Sequence, residues 1–360
     1  MMDEILNVVG LMSGTSMDGV DAALLRTDGK KFVERLAFIS MPYPAQFREE
    51  LRGVILSQNV TVPFSVLREL TALHYQAVKE LLAIYPCPVD VVGFHGHTIK
   101  HAPEERFTYQ AGDAKWLAEQ LNTMVVADFR VADVTAGGQG APLVPIYHQA
   151  LAAHQPKPLA MLNIGGVANI TFMGSDEELI AFDTGPGIAL IDDWIKKKTG
   201  NAFDEDGALA LKGQAHTALV ETWLQHPYFN APFPKSLDRQ AFQHCVPEGL
   251  SVEDGAATLA CFTAMAVAKG LALLPVLPLS LYVAGGGRLH RGVMKFLQHA
   301  LPCAVHPAEA IALNGDSVEA EAFAYLAVRS IKGLPFSFPL TTGVPTPLCG
   351  GRTYYPYVNS

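Results

Sequence analysis

The sequence predicts an α/β protein of two related lobes, and three observations carry that prediction. Its 360 residues exceed what one compact core usually holds. Apolar runs of strand length alternate with helical stripes along the chain. A plan of strand, polar glycine-bearing turn and strand opens near residue 6 and opens again at Leu159, as an internal duplication would.

Composition narrows the classes of partner. With 49% hydrophobic and 17% charged residues, the chain is a well-buried globular protein. A formal net charge of -9 offers no basic footprint for nucleic acid and no attraction to anionic membranes, so an anionic ligand has to be held by local groups. Cys87, Cys245, Cys261, Cys303 and Cys349 are odd in number and form no CxxC pair, which fits reduced thiols better than a disulfide framework or a zinc ribbon. Asp3 and Glu4 stand where an export signal would carry positive charge, so a cytoplasmic location is expected.

Taken in order, Leu6 to Met12 and Val20 to Arg26 read as a hairpin. From Pro63 to Tyr85, Val66, Leu67, Leu70, Leu73, Ala77, Val78, Leu81 and Leu82 form one helical stripe with Ser65 as its cap, ended by Pro86 and Pro88. Val89 to Phe94 is a buried strand that runs into HGHTIKH. Met161 to Phe172 repeats strand, turn and strand, and a third strand ends in FDTGPG, Phe182 to Gly187. The apolar region from Ala256 to Ala284 is broken by Lys269, Gly270, Pro275 and Pro278, so it reads as a helix, a loop and a strand rather than a membrane span. That strand, Leu279 to Val283, leads into AGGGR.

Three polar turns at strand ends invite a phosphate-handling reading, although neither GxxxxGK[ST] nor a strand-borne GxGxxG is present. In SGTSMDG, backbone N–H groups and the hydroxyls of Ser13, Thr15 and Ser16 suit phosphate oxygens, Gly14 and Gly19 admit close approach, and Asp18 suits Mg²⁺ directly or through water. An ordinary hairpin loop has the same composition. Asp183 in FDTGPG stands at the carboxyl end of a strand, where a general base would face a cleft; an Asp satisfied by its own turn is the alternative. The AGGG turn, Gly285 to Gly287, has no side chain to block an adenine ring, and a plain tight turn explains it equally. The order of the three is that of the actin-like and sugar-kinase ATPases, two duplicated ribonuclease H-like lobes around a central nucleotide cleft. The expected lobes are 1–130 and 131–320, with 320–360 packing back on the first.

The stretches MSGTSMDGVDAAL, GFHGHT, ADFRVADVTAGGQGAPLVP, LNIGGVANIT, FDTGPG, FDEDGALA, AGGG and EAEAFAYLA, in order from residue 8 to about 345, resemble the anhydro-N-acetylmuramic acid kinase family. The resemblance implies an enzyme that uses ATP, Mg²⁺ and water to convert 1,6-anhydro-N-acetylmuramic acid into N-acetylmuramic acid 6-phosphate in bacterial cell-wall recycling, and a homodimer. It implies nucleotide contacts from Gly14, Thr15, Ser16, Met17, Asp18, Gly19, Val20 and Asp21, with Gly285, Gly286 and Gly287 at the adenine. It implies Asp183 as catalytic base and sugar contacts among His97, Thr98, Asp128, Arg130, Asp133 and Glu319. Arg130 is the natural partner of a lactyl carboxylate, against a structural ion pair within ADFRVAD. The chain departs from the family at His97, usually Gln, at Ile188, usually Asn, and at Arg288 after the triple glycine. Rival readings are a kinase for another aminosugar, an actin-like nucleotide switch, and a zinc hydrolase in which His95, His97 and His101 supply ligands.

Overall fold

The computed structural model describes residues 4–14, 17–57, 60–176, 178–311, 313 and 315–357. The chain divides into two compact units, residues 1–153 with 317–360, and residues 154–316.

The first unit is built on a mixed sheet. Strands β1 (Leu6–Ser13), β2 (Gly19–Thr27) and β3 (Val33–Pro42) form an antiparallel meander, as the expected hairpin requires. Strand β4 (Val91–Ala102) then adds parallel to β1, with β5 (Phe107–Ala111) as its antiparallel extension, and β6 (Met124–Ala127) adds parallel to β4. A C-terminal strand, Arg352–Tyr354, closes the edge against β6. The apolar stripe anticipated near residues 63–85 forms the helix Phe64–Ile84, which buries Val66, Leu70, Ala77, Val78 and Leu81 on Val9, Leu11, Leu24 and Val92. It begins after Pro63 with no side-chain cap, so Ser65 lies inside the first turn instead of capping it.

The other face of this sheet is covered by the helix Val318–Ile331, which the chain reaches only at its far end. The helix comes so close that a Cβ on Gly10 would lie 1.9 Å from the carbonyl oxygen of Ala320, and one on Gly93 2.1 Å from that of Phe323. Residues 131–153 belong to this first unit, which moves the boundary expected at 130. The reason is long-range polar pairing: the buried Tyr147 hydroxyl donates to Glu321 Oε2 at 2.7 Å, and Glu321 Oε1 accepts from Ser317 at 2.6 Å.

The second unit repeats the plan. Strands β7 (Leu159–Ile164), β8 (Val167–Met173) and β9 (Leu179–Pro186) form an antiparallel meander. Strands β10 (Ser280–Ala284) and β11 (Ala304–Pro307) add in parallel beside β7. Read from the meander edge, the sheets run β3-β2-β1-β4-β6 and β9-β8-β7-β10-β11, the same 3-2-1-4-5 order twice. The long apolar region becomes the buried helix Val252–Leu271 followed by β10, as expected. Among the described residues no helix is long and apolar enough to cross a membrane, and the five cysteines are free thiols.

Candidate functional site

In the first unit the candidate residues gather around the end of β1. The hairpin register closes at Met12 opposite Asp21, beyond which Ser13 still belongs to β1 and Gly19 and Val20 to β2. Met17 donates its backbone N–H to Gly14 O at 3.0 Å and adopts φ 57°, a left-handed conformation that a non-glycine residue holds only where its surroundings impose it. Thr15 and Ser16 lie outside the described residues. The Asp18 side chain is 73% exposed and meets Arg48 Nη2 at 3.1 Å. Gly19 and Val20 already pair with Pro42 and Met41 of β3, and Asp21 pairs with Ser40, so all three belong to the sheet that carries the loop. Ser13 does not offer a hydroxyl to a ligand as expected: its Oγ is buried between the Tyr43 hydroxyl at 2.6 Å and His97 Nδ1 at 2.8 Å.

Strand alternation would place His95 and His97 on one face, as the zinc reading needs, but Gly96 adopts φ 73° and breaks it. His95 therefore accepts from Arg130 Nε at 3.0 Å and packs on Phe323, whereas His97 joins Ser13 and Tyr43. Burial pushes His95 well below the ordinary histidine range, with Arg130 adding to the effect, and pushes His97 down to about 4; both rings are neutral at pH 7. No group of three His, Cys, Asp or Glu residues suited to a metal exists among the described residues.

The ADFRVAD segment does not form an ion pair within itself among the described residues; each member has separate work. Asp128 accepts from the Tyr354 hydroxyl at 2.8 Å. Asp133 is buried and holds the loop after its helix by accepting from Gly140 N at 2.6 Å. Arg130 is aimed by His95 and by donation from Nη1 to Gly140 O at 2.7 Å, and its Nη2 makes no hydrogen bond among the described residues. Burial lowers its pKa, opposed by Glu319 and then Asp133. Glu319, on the first turn of its helix, is reached by solvent, yet desolvation dominates its ionisation and raises its pKa, with Arg130 opposing and Asp21 reinforcing. Thr98 lies on β4, half-buried, 3.4 Å from the Gln110 amide nitrogen.

In the second unit Asp183 lies on β9, paired with Asn169 of β8, which in turn pairs with Asn163 of β7. This polar row crosses the sheet at the carboxyl end of β7. Asp183 is satisfied by a distant segment, not by its own turn: Oδ2 accepts from Leu237 N at 2.8 Å, its N–H donates to Lys235 O at 2.9 Å, and its carbonyl accepts from the Tyr228 hydroxyl at 2.6 Å. Desolvation raises its carboxyl to about 6, and the Leu237 bond partly offsets that rise. Lys235 donates to Tyr228 O at 2.8 Å, and burial lowers its ammonium to about 8. Sequence reasoning missed Tyr228, Lys235 and Leu237; the one signal was a basic, proline-bounded stretch, FPKSLDR.

The triple glycine has a mostly structural explanation. A Cβ on Gly285 would lie 2.5 Å from Asn163 Oδ1 and one on Gly287 2.4 Å from Ile164 Cγ2, so both must be small to pack on β7. Gly286 is the open position, with only Ile188 Cδ1 near, at 3.4 Å. Arg288 turns away from it: Nε donates to Glu309 at 2.7 Å, Nη1 donates to Gly285 O at 2.9 Å, and Asp316 lies 3.3 Å off. This departure therefore braces the glycine loop and leaves Gly286 uncovered.

Two sheets of one 3-2-1-4-5 order, each led by an antiparallel hairpin, define a duplicated ribonuclease H-like protein of the actin-like ATPase class. The family model described as anhydro-N-acetylmuramic acid kinase matches residues 6–356. The enzyme of that name from Rhizorhabdus wittichii is 51% identical over 359 residues, covering 97% of this chain and 98% of its own. The one from Rhodospirillum rubrum is 49% identical over 352 residues, covering 97% and 94%. A ROK family glucokinase from Streptomyces griseus, solved with glucose and AMPPNP, covers 89% of this chain and 99% of its own at 14% identity and TM-score 0.46. The chain belongs to the anhydro-N-acetylmuramic acid kinase family.

Proposed function

We propose that the protein is an ATP-dependent kinase that opens 1,6-anhydro-N-acetylmuramic acid with water and delivers N-acetylmuramic acid 6-phosphate. The observation that carries this reading is Asp183, a carboxylate held by Leu237 N–H at 2.8 Å and poised near pH 6 by its surroundings. A general base works best when its pKa lies near the working pH. Asp183 takes a proton from water as the water oxygen bonds to the anomeric carbon, and the bond from that carbon to the bridging 6-oxygen breaks. The freed 6-oxygen bonds to the γ-phosphorus, ADP leaves, and Asp183 returns its proton to solvent.

Gly14 to Asp21 would cradle the phosphates, a role that asks for positioning and charge neutralisation more than for reacting side chains. The exposed Asp18 carboxylate fits Mg²⁺, which takes one or two protein carboxylates beside nucleotide phosphates and keeps its remaining waters. When bound, that ion would neutralise phosphate charge. Arg130, with Nη2 uncommitted, would pair with the lactyl carboxylate, and Glu319, Thr98 and His97 would line the sugar side; Asp128 and Asp133 would act there by shaping the segment that carries Arg130. Gly286, with Gly285 and Gly287 beneath it, would face the adenine. The enzyme would act in the cytoplasm as a homodimer.

The test is to incubate the protein with ATP, Mg²⁺ and a panel of anhydro and reducing aminosugars in H₂¹⁸O, then weigh the products. The anhydro sugar gains one phosphoryl group and one water whose oxygen resides at the anomeric carbon. Gain of a phosphoryl group alone refutes the mechanism.

A further inference from the structure

The loop after β1 has two ends, and both are held by one residue. Its far end is fixed where Tyr43 donates its backbone N–H to Asp18 O at 3.0 Å, continuing the β2–β3 ladder past Gly19 and Pro42. Its near end is Ser13, which pairs with His97 where β1 runs parallel to β4. The Tyr43 side chain reaches back across the loop and sets its hydroxyl 2.6 Å from Ser13 Oγ. The ring that makes this reach is itself packed: it is 7% exposed and lies edge-on against Phe47 with centroids 5.1 Å apart.

We infer that Tyr43 is a positioning residue for the phosphate loop, its N–H and its hydroxyl closing the two ends of the Gly14–Asp18 segment and His97 anchoring the Ser13 end. The inference rests on the proposed nucleotide role of that loop. Because His97 is buried and neutral, one arrangement uses each hydroxyl proton: Tyr43 O–H donates to Ser13 Oγ, and Ser13 O–H donates to His97 Nδ1. The imidazole of His97 supplies the acceptor that ends the chain of bonds. A loop whose amides are to meet phosphate oxygens without rearranging needs its ends fixed before the ligand arrives, because ordering after contact subtracts from affinity. Tyr43 touches no reacting atom in this scheme; it acts through Ser13 and Asp18.

The test uses the full chain with AMPPNP as the calorimetric probe, beside steady-state kinetics. Tyr43→Phe keeps the ring and the backbone bond and removes the hydroxyl. The expected result is an AMPPNP Kd and an ATP KM raised about fivefold, the scale of one buried neutral hydrogen bond, with the sugar KM unchanged. A merely structural role would lower Tm without separating the two KM values. Ser13→Ala cuts the same link from the other side and the bond to His97 with it, so the double variant should bind AMPPNP no more weakly than Ser13→Ala alone. If Tyr43→Phe does not fold, Ser13→Ala carries the test through the rise in AMPPNP Kd alone, since it also releases His97. Wild-type AMPPNP affinity in both single variants, or additive losses in the double, overturns the inference. Failure of the wild-type protein to bind AMPPNP overturns the nucleotide reading instead.

Discussion

Replacing Asp183 with Asn should stabilise the protein while destroying its activity, and the stability gain should depend on pH in a set direction. Desolvation raises the Asp183 carboxyl from 3.8 to about 6, roughly two units, which at ~1.36 kcal/mol per unit is about 3 kcal/mol of cost for holding the charge there. That shift is already net of the Leu237 N–H bond, whose acceptor Asn keeps. The gain is then up to about 3 kcal/mol. Because the folded pKa lies above the unfolded one, the wild-type carboxyl contributes its full stability only below about pH 3.8 and loses it as pH rises through about 6. The variant should therefore exceed the wild type by about 4–8 °C in Tm at pH 8.5, with the gap closing towards pH 4. Paired scanning calorimetry of the two proteins across that range reads the difference, and acid effects common to both cancel. Equal stability at pH 8.5, or a gap that does not change with pH, would refute the claim that the site stores the cost of a buried charge.

Arg130→Ala should lower kcat/KM for the anhydromuramic sugar roughly 10- to 100-fold while changing that for the anhydroglucosamine analogue, which lacks the lactyl carboxylate, much less; equal losses on both sugars would remove Arg130 as the carboxylate partner. Gly10→Ala should cost on the order of 1–3 kcal/mol or more in denaturant unfolding, since its Cβ would lie 1.9 Å from Ala320 O, whereas Gly53→Ala, in the helix Ala45–Leu56 with no atom within 4 Å of the new Cβ, should be neutral or stabilising by up to about 1 kcal/mol.

The parts of the fold that sequence made legible are those whose signal is local. The stripe of Phe64–Ile84, the interrupted apolar run that became Val252–Leu271 and β10, and the hairpin of β1 and β2 all announce themselves by periodicity or turn chemistry. The unit boundary did not, because what holds residues 131–153 to the first unit is a Tyr147–Glu321 bond between residues 174 positions apart. The site divided in the same way. Asp183 was readable as a carboxylate at a strand end, but its support from Leu237 is a backbone N–H, which no side-chain pattern encodes. His95 and His97 were misread as facing one way because alternation assumes an unbroken strand, and Gly96 at φ 73° breaks it.

The duplicated plan explains how one scaffold can give its two halves different tasks. In the first unit the two ends of the hairpin connection are tied by Tyr43, whose hydroxyl meets Ser13 Oγ and whose N–H meets Asp18 O, and by His97 on Ser13. In the second the corresponding turn is only Gly165–Gly166, and its backbone is spent internally: Gly187 donates to Gly166 O and Ile188 to Gly165 O, each at 2.9 Å. A Cβ on Gly187 would lie 2.1 Å from Gly165 O, so these two turns are in direct backbone contact. These bonds engage the carbonyls of the turn and the amides of Gly187 and Ile188, and they pin the end of β9, the strand that carries Asp183. Substitutions that loosen the first turn should accordingly appear in nucleotide affinity, as for Tyr43→Phe, whereas those that loosen the second should appear in kcat. On the proposed function, one hairpin connection would serve binding and the other would fix the strand that carries the base.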